Sequence, residues 1–307
     1  MTPVLLKIRN GCSLVDLTNL TMAGFLILLY LLAPPGLPHP YLSLALYMFL
    51  ILLVGSTVLL REHFCGRHFT PLLIFTLTVL FLFITFESLG LTLPHVNPRR
   101  YDRFMVVVDH ALWGVHPTLW LEPFIRPWAT ELLYIFYAIY FPLPVILLVW
   151  MLQKRRYQGV SDGIFRYLIC YYGAYATYFL LPVQGPRFEL TALHTVPLDG
   201  LYLSEPIRRI IDFLEPNKLD AFPSLHAAIL GITVILAFRE NRVLFRWFVG
   251  CGLGILVSLV YLRYHYVVDV IAGLVWAAVS WYLGGWVAGR FGAGLAPHFG
   301  EGNGCLS

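Results

Sequence analysis

The stretch YLRYHYVVDVIAG, residues 261–273, sets Arg263, His265 and Asp269 within seven positions of one another. It joins two long apolar runs, 246–263 and 266–289. Each run can cross a bilayer, because roughly 18 or more mostly apolar residues span the hydrocarbon core as a helix. The charged residues therefore fall where one span ends and the next begins, at a membrane surface where charge is tolerated.

Working outward, six further runs read as spans: about 17–34, 41–60, 70–91, 129–152, 163–182 and 222–239. The composition agrees, with 59% hydrophobic and only 12% charged residues. No ordinary soluble domain has that balance. The expected fold class is an all-α integral membrane protein with about eight transmembrane helices. The N-terminal segment MTPVLLKIRNGCSLVDLTNL mixes its charges among apolar residues and lacks the order of a signal peptide, so the first helix is expected to be retained.

Orientation follows from Lys and Arg in short loops, which resist translocation. Lys7, Arg9, Arg61, Arg67, QKRRYQG at 153–159, Arg166, Arg239, Arg242, Arg246 and Arg290 put 12 of the 21 basic residues on one side. Both termini are thus expected in the cytoplasm. Cys12, Cys65 and Cys305 fall on that side, and Cys170 and Cys251 lie inside helices, so no disulfide framework or structural zinc site is implied.

Two outer connections exceed a turn. Residues 92–128 interleave Trp, Tyr, Arg and Pro with apolar residues, as in helices lying in the headgroup layer. Asp109 and His110 fall there, where solvation suffices to explain them. The connection 183–220 carries EPIRRIIDFLEP, which reads as a short amphipathic helix forming a lid or collar.

Three motifs carry the chemistry: PVQGPRFEL after the fifth span, AFPSLHAAI opening the sixth, and YLRYHYVVD between the seventh and eighth. In an alternating topology all three reach the same face, the outer one. Together His226, His265, Arg187, Arg263, Ser224 and Asp269 offer a nucleophile or base, an acid, an orienting carboxylate and a cationic clamp. Phosphate suits this set, because guanidinium forks match phosphoryl oxygens and a helix N-terminus is itself an anion site. His265 and Asp269 are four residues apart and so would share a face on a helix, where the carboxylate could fix the imidazole tautomer that leaves the other nitrogen free to attack phosphorus. Glu87, near the outer end of the third span, is a candidate pocket residue or a helix-to-helix hydrogen bond. Tyr134 and Tyr137, and Tyr171, Tyr175 and Tyr178, form stripes that suit helix packing or a headgroup pocket. The remaining histidines have no partner at useful spacing.

PSLH at 223–226 and H-x-x-x-D at 265–269, preceded by GPR at 185–187, resemble the signature motifs of the type 2 phosphatidic acid phosphatase superfamily. The resemblance implies a six-helix catalytic membrane domain over 66–290, behind two N-terminal helices in 1–65 and before a short polar tail at 291–307. It makes His265 the nucleophile, Asp269 its orienting carboxylate and His226 the acid and base. Ser224 and Arg187 would hold the phosphoryl oxygens, with Arg263 as an added cation and no metal or other cofactor. The family's Lys and Arg are replaced here by Leu180 and Leu259, and its Pro by Phe188.

GPRF, FPSLHA and YHYxxDV look most like the branch containing inositol phosphorylceramide synthase. That likeness implies a phospholipid donor and a lipid alcohol, small alcohol or water as acceptor, and no nucleic-acid partner. The competing class is a transporter or channel with a polar path. Against it, the charges cluster at helix ends and no internal repeat is found.

Overall fold

The computed structural model describes residues 12–32, 36–37, 39–60 and 69–291 except Pro216. The expectations for Lys7, Arg9, Arg61, Arg67, Cys65, Cys305 and the tail from 292 lie outside the described residues. These residues form helices α1 (Leu14–Leu32), α2 (Pro40–Leu60), α3 (Phe69–Val96), α4 (Asp102–Trp113), α5 (Pro117–Trp120), α6 (Pro127–Ile139) and α7 (Pro142–Gln153). There follow α8 (Tyr157–Leu180), α9 (Pro186–Glu189), α10 (Ser204–Leu214), α11 (Leu225–Glu240), α12 (Arg242–Tyr261) and α13 (Val267–Phe291). Among the described residues there is no strand, only an isolated parallel bridge between Val183 and Asp220.

Each of the eight expected spans falls on helix. Four stretches are long and apolar enough to cross a membrane singly: Leu14–Leu32, Leu73–Val96, Arg242–Tyr261 and Val267–Phe291. The α6–α7 pair, bent by 40°, would make a fifth span. Its bend falls at IYFPLP, residues 139–144, where Pro142 and Pro144 have no N–H to continue the preceding hydrogen-bond ladder. Helix α11 has only 16 residues, and α8 carries Asp162 and Arg166.

The chain divides into two compact units. In the first (1–88, 148–172 and 280–307), Arg166 and Tyr172 of α8 are paired within their helix and across to its neighbours. Arg166, a basic residue of the orientation count, is buried, bonds Asp162 at 2.9 Å and lies 4.1 Å over the Trp281 ring. Tyr172 donates to Asn19 at 2.6 Å. In hydrocarbon such pairing is needed, since no water can satisfy the groups.

The second unit (89–147 and 173–279) contains all three motifs. Its core gathers Tyr134 and Tyr137 of α6, Ala227 of α11, Leu259 and Tyr261 of α12, and Tyr264. Carboxylates from the first outer connection and α6 hold its helix starts. Glu131 of α6 accepts from the backbone N–H groups of Leu201, Tyr202, Leu203 and Ser204, which opens α10. Asp109 of α4 is buried and accepts from Val267 at 3.0 Å and Val268 at 2.8 Å, the first N–H groups of α13. Solvation therefore does not account for Asp109: it caps α13, where orphan donors and the helix dipole favour an anion. Burial pushes its carboxyl upward, against the pull of those two bonds. His110 is exposed, as expected of the interface.

Candidate active site

Backbone bonds stitch the three motifs together. Ala221 donates to Val183 at 3.0 Å, Arg187 to the Arg263 carbonyl at 3.0 Å, and Ser224 to the Asp269 carbonyl at 3.0 Å. Two glycines permit the approach. At Gly185, with φ of 99°, a Cβ would lie 2.4 Å from the Tyr264 carbonyl oxygen. At Gly273 it would lie 2.2 Å from the Ser224 carbonyl oxygen. A side chain at either position would separate the segments that carry the motifs.

His265 is not on a helix with Asp269, as the four-residue spacing had suggested; α13 begins two residues after it. Asp269 sits in the first turn and folds back, its Oδ2 accepting from the Tyr266 N–H at 2.9 Å. This is half of a capping box, in which a carboxylate reaches back over the helix start. His265 Nδ1 lies 3.6 Å from that oxygen and 3.0 Å from the Ala221 carbonyl oxygen, which is its nearer partner. A carbonyl only accepts, so Nδ1 carries the proton and the Nε2 lone pair is free.

His265 Nε2 faces Nδ1 of His226 at 3.5 Å. Burial, and then the neighbouring His226 ring, hold the His265 imidazole well below its ordinary range. It is consequently neutral at physiological pH, the state in which a nitrogen can act as a nucleophile.

Ser224 is fully buried, and its Oγ caps α11 by accepting from Ala227 at 3.4 Å. Arg187 stacks over the Tyr264 ring at 4.3 Å and donates to Asp212 at 3.3 Å, while its buried Nε has no hydrogen-bond partner. Planar guanidinium against a ring leaves the edge donors available in a fixed orientation.

A protein-family model described as PAP2 superfamily matches residues 103–283, more than half of the chain. The chain belongs to the PAP2 superfamily. No curated protein and no solved structure matches it. PAP2 membership supports a phosphatase or phosphotransferase type of activity in an integral membrane protein.

In this PAP2 protein Leu259, where the signature has arginine, is fully buried in the aromatic core. Arg263 stands apart from that position for a backbone reason. Helix α12 ends in a Schellman arrangement, with Arg263 donating to Val260 at 3.0 Å and Tyr264 to Leu259 at 3.1 Å. Arg263 occupies the left-handed position, φ 66°, that usually goes to glycine. Its guanidinium donates to Glu122 at 2.9 Å and to the Val196 carbonyl at 2.7 Å, and its buried Nε has no hydrogen-bond partner. Burial raises the Glu122 carboxyl, but the bonds from Thr195 and Val196 and the Arg263 charge outweigh it, and the net shift is downward.

A cavity of about 500 Å³ is lined by Arg187, Arg208, Arg263, His194, Asp199 and Asp212, among others. Neither His226 nor His265 lines it, but Arg187 and Tyr264 do, which puts it next to the histidine pair. His194, given no role from sequence, is pushed down to about 4 by burial and then by Arg263, and bonds Thr118. Tyr134 also lines the cavity, so the tyrosine stripe of α6 faces a pocket as well as the core.

Glu87 is on α3 within the first unit, whereas the other six candidates lie in the second. Sequence reasoning missed Glu122, Glu131, Glu215 and Asp102. Asp102 accepts from the N–H groups of Gln184 and Gly185 and so holds the GPR loop. For Glu122, Glu215 and Asp102 the available signal was carboxylates beside aromatic and proline residues in long outer connections, which also describes solvated loops; Glu131 lay within an expected span.

Proposed function

We propose that the protein is a membrane-embedded lipid phosphotransferase resembling inositol phosphorylceramide synthase, working through a phosphohistidine on His265. The observation that carries this reading is the buried pair: Nδ1 of His265 tied to Ala221, Nε2 open and facing His226 at 3.5 Å.

In the first step His265 Nε2 attacks the phosphorus of a phospholipid. The nitrogen–phosphorus bond forms, the bond to the leaving lipid alcohol breaks, and that oxygen takes the proton of His226. In the second, an acceptor hydroxyl loses its proton to His226 and attacks phosphorus, which returns His265 free. Asp269 and the Ala221 carbonyl hold the imidazolium-like ring during both steps, and Arg187 and the α11 N-terminus at Ser224 oppose the charge on the phosphoryl oxygens. Arg263 adds a cation at the neighbouring cavity.

The cavity supports transfer of a headgroup-bearing phosphoryl. Its arginines already have carboxylate partners: Arg263 with Glu122, Arg187 with Asp212 and Arg208 with Glu205. A set of paired donors and acceptors suits a neutral hydroxyl-rich group better than a second phosphate. Water would be the acceptor in a hydrolytic cycle. The two N-terminal helices, cytoplasmic termini and an outward-facing site belong to the same reading.

The test is a purified sample given phospholipid labelled in its phosphate, with and without a long-chain or polyol alcohol. A labelled transfer product and an acid-labile label on His265 are expected. Solute flux with no phosphate chemistry on any donor would overturn the proposal.

A further inference from the structure

Glu215 lies in the collar segment just after α10 and closes that helix with its N–H on the Ile211 carbonyl at 2.8 Å. Its side chain turns inward. One carboxylate oxygen lies 3.0 Å from His226 Nε2, and Tyr137 donates to both oxygens at 3.0 and 3.3 Å. His226 is further confined by ring packing on Tyr140 at 4.4 Å and on Tyr137 at 4.9 Å.

Resting on the proposed phosphohistidine cycle, we infer that Glu215 is a positioning residue for His226, making a second carboxylate–histidine pair beside the His265–Asp269 one. The chemistry requires a choice of nitrogen. His226 must exchange its proton through Nδ1, because Nδ1 faces His265 and the reacting phosphorus. A carboxylate on the far side accepts from Nε2–H, which keeps that proton on Nε2 in both states of the ring. It also stabilises the imidazolium that forms when the acceptor alcohol is deprotonated, as a buried carboxylate does behind any acid–base histidine.

The carboxylate is close to Nε2 but off the ring N–H axis, and Nε2 lacks an aligned hydrogen bond. Such contacts commonly straighten once substrate is bound. Other groups near His226 do not serve. Asp220 precedes α11, and burial pushes its carboxyl up to about 7. Lys218 is engaged by Asp212 and the Glu215 carbonyl. The pair also ties the acid–base group to α10, whose start is held by Glu131 of α6, so the collar segment takes part in building the reacting centre.

The experiment compares two detergent-solubilised substrates on the full chain: a phosphodiester or monoester with an alkyl leaving group, and its nitrophenyl counterpart, which departs without needing a proton. Glu215→Gln keeps the shape and removes the charge; Glu215→Asp keeps the charge. The readout is the single-turnover rate of leaving-group release, which isolates the first step from the second, where His226 acts as base on either substrate. Expected for Glu215→Gln on the alkyl ester is a loss of roughly 10–100-fold, below the roughly 10²–10⁴-fold of an acid–base group itself because Glu215 acts through His226. On the nitrophenyl ester the loss largely vanishes, and Glu215→Asp recovers part of the alkyl rate. His226→Ala should show the same dependence on leaving group, and His265→Ala none. If Glu215→Gln matches wild type on both esters, or loses equally on both, while His226→Ala discriminates, the inference falls and the cycle stands. If His226→Ala itself fails to discriminate, its acid–base role falls and the inference with it.

Discussion

Replacing Gly273 by alanine tests whether the site depends on the close approach of α13 to the PSLH segment. The added Cβ would lie 2.2 Å from the Ser224 carbonyl oxygen and 3.0 Å from the Ala227 Cβ. An ordinary carbon–oxygen contact is about 3.3 Å, so the two backbones must part by about 1 Å. Relief by rotation is closed, because the obstructing atom belongs to backbone. The same separation stretches the 3.0 Å bond from Ser224 N–H to the Asp269 carbonyl. It also moves His226 away from His265. Overpacking of this kind costs about 1–3 kcal/mol of stability. A misplacement near 1 Å costs roughly 100-fold in rate, and the larger effect should be on turnover. The assay is phosphoryl transfer or release from labelled phospholipid, read beside thermal unfolding in detergent. A folded Gly273→Ala protein with wild-type turnover would refute the argument that this contact aligns the pair.

His265→Ala should abolish turnover and phosphoenzyme labelling while the protein elutes and melts as a folded species; retained activity on every phosphate ester tried would remove it as nucleophile. Asp109→Ala strips two N–H groups at the start of α13 of their acceptor and should cost about 2–4 kcal/mol, seen as a lower melting temperature. An unchanged melt would show that the cap is dispensable. For pH, the His265 imidazole is held down in the native protein, so below about pH 6.5 the unfolded chain binds a proton that the native one refuses. Its contribution to stability is full above that pH and falls on acidification by up to about 1.4 kcal/mol per pH unit. His265→Asn should flatten that limb of a melting-temperature profile. Asp220, pushed up to about 7, has the opposite sign, since the native state keeps a proton the unfolded chain has released and stability falls as pH rises from about 4 towards 7. Asp220→Asn should remove that decline, and a profile identical to wild type would count against the burial.

How far each residue could be read from sequence depended on whether its signal was local. Hydropathy placed its eight apolar runs on helical segments, because the length of an apolar run is a property of the chain itself, but it does not mark the short helices α5 and α9. Among the described residues four helices are long and apolar enough to cross singly, while α6 and α7 are a pair bent at prolines and α11 has 16 residues. The PSLH and HxxxD motifs marked His226, His265 and Asp269, residues that the second unit brings together. Asp109 was misread as a solvated charge, because nothing in MVVVDHALW says that the start of a helix 158 residues later lies against it.

The amino-acid sequence by itself determined a membrane-embedded, all-helical chain with phosphate-suited motifs at its helix ends, because composition, run length and motif spacing are local quantities. Only the tertiary structure decided that Ala221 is the nearer partner of His265 and that Arg263, turned by a left-handed cap, faces Glu122 and a cavity. It also decided that Glu215 from the collar stands behind His226. These are contacts between segments far apart in the chain, and they depend on backbone approach at two glycines and on the burial of carboxylates at helix starts, which no single segment encodes.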